Sequence, residues 1–107
     1  MIRSEIRTLT ILLFITFYTG YAYADELGFD EICNIYTEVL NSSMSEKDSN
    51  HYVSNNVSKR INNKDAITTH SIIYQVEASK RYEIFKESAE DSLKQNWDCS
   101  AMKKLMK

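Results

Sequence analysis

The sequence predicts an all-α fold, a small bundle of four to five helices tied by one disulfide, and three observations lead there. Proline is absent, and beyond Gly20 the chain has one glycine, Gly28. Helices therefore meet few breakers, and turns fall to Asn, Asp and Ser. From Phe29 onward apolar residues recur at spacings of three and four, and no stretch alternates long enough to make a strand. The chain's two cysteines, Cys33 and Cys99, stand far apart and read as a staple between distant elements.

The N-terminus reads as a leader rather than as part of this bundle. Arg3 and Arg7 precede an apolar run from Leu9 to Tyr18, and small residues Ala22 and Ala24 flank Tyr23 before Asp25-Glu26. This is the pattern of a secretory signal peptide spanning residues 1–24, with cleavage between Ala24 and Asp25. The apolar run is about ten residues, short of the ~20 that a bilayer core requires, so no membrane span is expected after cleavage. Residues 25–107 then form a single helical domain. A domain of this size buries only about 60% of its unfolded surface, which leaves a marginal core. In an oxidising compartment Cys33 and Cys99 are expected to pair with each other, in preference to a free thiol pair or an intermolecular bridge. The expected role is structural, because a redox motif would place its cysteines close in sequence.

The elements follow in order. Phe29, Ile32, Cys33, Tyr36, Val39 and Leu40 define an amphipathic helix from about Asp30 to Leu40, closed by Asn41-Ser42-Ser43. Ser45 followed by Asp48 resembles a capping box and opens a second helix with a thin stripe of Tyr52, Val53, Val57 and Ile61. Its Ser49, Asn50, Ser54, Asn55, Asn56 and Ser58 are poor helix formers. Asn62-Asn63 breaks it, and Asn63 caps a third helix bearing Ala66, Ile67, His70, Ile73 and Tyr74 on one side. After a joint at Gln75-Val76-Glu77, a fourth helix runs from about Ala78 to Gln95. It buries Tyr82, Phe85, Ala89, Ser92 and Leu93, with a Lys86–Glu90 pair at i,i+4. Asn96-Trp97-Asp98 interrupts it, and Asp98 is placed to cap a last helix presenting Cys99, Met102, Leu105 and Met106.

Chemistry-bearing patterns are scarce. Asp48 and His51 at i,i+3 offer two metal ligands where a site needs three or four, so no metal or other cofactor is expected. No nucleophile elbow or glycine-rich phosphate cradle is present, and Glu90-Asp91 reads as a solvated pair. The chain is expected not to be an enzyme. Acids dominate Asp25–Asp48 and bases dominate Lys59–Lys107, an asymmetry read as complementing helix dipoles. No Lys/Arg footprint is concentrated enough for nucleic acid. Asn41 and Asn56 begin N-glycosylation patterns, and Trp97 is expected to pack as core beside Cys99.

The run Lys80-Arg81-Tyr82-Glu83-Ile84-Phe85-Lys86-Glu87-Ser88-Ala89-Glu90, with Trp97-Asp98-Cys99 and Leu105-Met106, resembles segments of small exported helical proteins of bacteria. The resemblance implies the architecture and carries no activity. The general plan is also similar to the small acid-stress chaperones of the bacterial periplasm, which are helical and hold one disulfide. The expectation is a non-enzymatic exported protein, periplasmic or secreted, that binds another protein. The alternatives are an acid-stress chaperone-like protein, an inhibitor or immunity-type protein, and a carrier for a small apolar ligand. The carrier is disfavoured because so short a chain leaves little volume for a cavity.

Overall fold

The computed structural model describes residues 27–106, so the expected cleavage site at Ala24–Asp25 lies outside the described residues. They form five helices and no strand: α1 (Phe29–Leu40), α2 (Glu46–Arg60), α3 (Lys64–Ile73), α4 (Ala78–Leu93) and α5 (Ser100–Leu105). Helix α1 packs against α2 on one side and α5 on another, while α3 packs against α4. The all-α architecture expected from the sequence is the one observed.

Helix α1 is the central element, and this widens its buried face. Phe29, Ile32, Ile35, Tyr36 and Val39 are buried, whereas Leu40 is exposed. A single apolar stripe omits Ile35, but a helix with neighbours on two sides buries it. Two of the three expected side-chain caps form. Ser45 Oγ accepts from Asp48 N at 3.1 Å, and Asn63 Oδ1 accepts from Ala66 N at 3.2 Å. The Asn62 amide donates to Leu27 O at 3.0 Å, which ties the α2–α3 turn to the chain entering α1.

Three further helix faces differ from expectation. On α3, Ala66, His70 and Ile73 are buried, but Ile67 and Tyr74 are exposed. On α4, Ser92 is exposed and the helix stops at Leu93, two residues before the expected end. Lys94 closes α4 in the left-handed conformation at φ 57°, and its amide donates to Glu90 O at 2.9 Å. In a chain with so little glycine, a lysine takes the C-terminal position that glycine usually fills. On α5, Ala101, Met102 and Met106 are buried and Leu105 is exposed.

Asp98 does not cap α5. Its carboxylate accepts the Tyr82 hydroxyl, and the Tyr82 oxygen in turn accepts from Cys99 N at 3.1 Å. A tyrosine from α4 thus satisfies the backbone amide of Cys99, the N-cap residue of α5, which carries no side-chain cap. Burial and the Asp98 hydrogen bond both push the Tyr82 phenol above its ordinary range.

The core is aromatic at its centre. Phe85 meets Phe29 edge-on at 5.3 Å between ring centroids, and Trp97 at 5.5 Å. Trp97 is buried, as expected, and its indole N–H donates to Asp30 Oδ1 at 2.8 Å. Lys86 Nζ reaches both Glu90 Oε2 at 2.7 Å and Trp97 O at 2.9 Å. Glu90 Oε2 also accepts from Trp97 N at 3.0 Å, so the i,i+4 pair fastens the Trp97 loop onto α4. The Cys33 and Cys99 sulfurs lie 2.06 Å apart, at disulfide distance, and join α1 to the start of α5.

Candidate binding groove

The acid-rich α1 and the base at the end of α2 meet in one clamp. Arg60 Nε and Nη2 donate to Glu31 Oε2 at 3.0 and 2.8 Å, and Nη1 and Nη2 donate to Glu38 at 2.8 and 3.0 Å. Glu31 and Glu38 lie two helical turns apart on α1, and one planar guanidinium spans them. Hydrogen bonds from Arg60 and then Tyr52 lower the Glu38 carboxyl to about 2. Asn34 and then Arg60 lower Glu31 in the same way. Acids also occupy the first turns of α1, α2 and α3, and Lys103 and Lys104 the last turn of α5, where they complement the helix dipoles, whereas α4 has neither.

A second polar cluster lies inside the apolar core. His70 sits on α3 at 6% exposure, ringed by Tyr36, Tyr74 and Phe85 with centroids 5.7, 5.2 and 6.3 Å away. Tyr36 Oη is 2.7 Å from His70 Nε2 and 2.7 Å from Tyr74 Oη, so the three groups form one hydrogen-bonded chain. Burial lowers the imidazole to about 4, which keeps it neutral at ordinary pH. Burial, followed by the neighbouring Tyr74, pushes the Tyr36 phenol upward. Arg81 from α4 completes the cluster, with its guanidinium carbon 4.9 Å from the centre of the Tyr74 ring.

This cluster forms one wall of a groove of about 980 Å³. Val53 and Val57 of α2 line it with Met106 beyond α5, and Ile67 and Leu105 stand at its edges. Ser49, Asn50, Ser54 and Ser58 also face it from α2. The poor helix formers that make α2 look weak as a sequence are therefore in part the polar side of a groove. Tyr74, Leu105 and Ile67 are 44%, 41% and 37% exposed, and all three belong to this one depression.

Cys33 and Cys99 are joined. Asp48 and His51 are exposed on α2, and among the described residues no group of three or more His, Cys, Asp or Glu is arranged to hold a metal. Asn41 is the exposed C-cap of α1, whereas Asn56 is half-buried and donates to Tyr52 O at 2.8 Å. Among the described residues no helix is long and apolar enough to cross a membrane. Arg60, Arg81 and the Tyr36–His70 contact were not marked by any motif. The one available signal was His70 itself, an imidazole within the apolar stripe of α3.

Comparison with protein-family models, curated proteins and solved structures finds no match to this chain. The residues and their geometry carry the functional reading.

Proposed function

We propose that this is an exported, non-enzymatic protein that binds another protein, and that the groove between α2, α3 and α5 is its docking surface. The observation that carries this reading is the gathering of Ile67, Tyr74 and Leu105, exposed and apolar, on one concavity with a floor of Val53, Val57 and Met106. Apolar surface concentrated in one place, rimmed by polar side chains, is the usual signature of a contact site. The leader pattern of residues 1–24 and the Cys33–Cys99 bridge support action outside the cytoplasm.

The test is partner retention by the exported protein. Ile67→Glu and Leu105→Glu should abolish co-purification of a defined partner, while Ile72→Glu should not, since Ile72 is exposed but does not line the groove. Equal retention by all three variants would remove the groove from the account. Elution at dimer mass that the groove variants abolish would replace the partner with a second copy of the chain.

A second reading, the acid-stress chaperone, is favoured by one observation, the burial of His70 among aromatic rings. Protonation there places a charge in an apolar site and would open the groove wall. Suppression of light scattering by an acid-sensitive client at about pH 2–3, near full carboxylate protonation, supports that reading. Unchanged scattering at several-fold molar excess removes it.

A further inference from the structure

We propose that Arg81 and Tyr74 form a carboxylate subsite on the groove wall, so that the bound segment of the partner carries an apolar run beside a carboxylate. The proposal rests on the groove being the docking surface.

The two arginines of the described residues are held in opposite ways. Arg60 is saturated by the carboxylates of Glu31 and Glu38. Arg81 is fixed from behind instead. Its Nε donates to Ile73 O and Val76 O, both at 3.1 Å, at the turn leaving α3, and its guanidinium carbon lies over the Tyr74 ring. Among the described residues no carboxylate pairs with Arg81, and its Nη1 and Nη2 hold no hydrogen bond. Glu46, the one acid among the described residues that line the groove, is not its partner. An immobilised guanidinium with its outer edge open is a preorganised receptor for a carboxylate, and it loses little side-chain freedom on binding one.

Tyr74 supplies the neighbouring donor. Its hydroxyl is the outer end of the His70–Tyr36–Tyr74 chain. When the His70 Nε2–H tautomer donates to Tyr36, Tyr36 donates to Tyr74, and the Tyr74 O–H is left to point at an acceptor outside the chain. A carboxylate beside Arg81 is that acceptor, and the buried imidazole sets the direction of the chain without changing charge.

The polar wall argues for a polypeptide over an alkyl chain. Ser49, Asn50, Ser54 and Ser58 line the groove, and an alkyl chain would cover them with nothing to bond. Peptide N–H and C=O groups would replace the water they lose.

The experiment uses the full oxidised protein and an array of apolar hexapeptides in three forms: C-terminal acid, C-terminal amide, and amide with one internal Glu. Dodecanoate is measured beside them. A form with a carboxylate should bind about tenfold tighter than its carboxylate-free twin, the effect of one charge-assisted hydrogen-bond pair. The acid and internal-Glu arms show whether a chain end or a side chain supplies that carboxylate. The gap should close to about twofold in Arg81→Gln and be partly kept in Arg81→Lys. Should Arg81→Gln fail to fold, the acid-to-amide ratio on the unmodified protein decides alone. Equal binding of acid, amide and Glu forms, lost in Ile67→Glu, overturns the subsite and leaves the groove standing. Binding of dodecanoate without any peptide overturns the polypeptide occupant. No binding of any probe overturns both.

Discussion

The Tyr36 hydroxyl of α1 lies 2.7 Å from His70 Nε2 of α3, and among the described residues no carboxylate shares that contact. A neutral imidazole is held by a phenol, in a site where the protonated form meets aromatic rings, hydroxyls and, beyond Tyr74, the like-charged Arg81 guanidinium.

Stability should therefore depend on pH through His70. Its folded value, about 4, lies below the ordinary 6.5, so between these limits the unfolded chain binds a proton that the folded chain does not. The contribution is full above the upper limit and is lost as pH falls toward the lower one, by roughly 3 kcal/mol in all. Urea unfolding at a series of pH values should show this slope, and His70→Phe should flatten it. An unchanged slope in the variant would assign the dependence elsewhere.

The Arg60 clamp should respond to salt and to stronger acid. Its carboxylates titrate low, so its contribution is present above the ordinary carboxylate range and fades as pH falls toward about 2 for Glu38. The pairs are part-exposed, so Arg60→Ala should cost about 1 kcal/mol at low salt and less at high salt. A salt-independent loss would point to packing of the arginine stem instead.

Much of the fold was legible because its determinants are local. Ser45 and Asn63 sit where caps must sit, and the spacing of Val53, Val57 and Ile61 places α2 despite its serines and asparagines. Faces shared by more than two elements were not legible. Ile35 is buried because α1 has neighbours on two sides, and Tyr74 and Leu105 are exposed because none of the described helices covers them. Asp98 reads as a cap in the local sequence, yet Tyr82, sixteen positions earlier, takes its carboxylate. The groove belongs to this second class, since its wall joins Tyr36, His70, Tyr74 and Arg81 from three helices and a turn.

The Tyr82 hydroxyl should be worth a measurable amount by itself. Tyr82→Phe keeps the ring in the core but leaves the Cys99 amide and the Asp98 carboxylate without their partner. A loss of about 1–2 kcal/mol in chemical denaturation is expected. A neutral substitution would show that water replaces the hydroxyl.

Removing the bridge should cost more than either polar substitution. Cys33 and Cys99 are 66 positions apart, and a loop of that length corresponds to about 4 kcal/mol in the chain-entropy account. Reduction, or the double Cys→Ser variant, should bring the domain near the edge of folding. Two free thiols in protein isolated under oxidising conditions would contradict the pairing.

The claim that the groove is where this protein meets its partner is tested most directly by site-specific photo-crosslinking in the exported protein. A photoreactive residue at position 67, on the groove, is compared with one at position 72, exposed on the same helix but off it. The account predicts an adduct of one discrete mass at position 67 alone, competed by the purified partner and absent when Leu105→Glu is introduced. Adducts of equal yield at both positions, or at position 72 only, would contradict it.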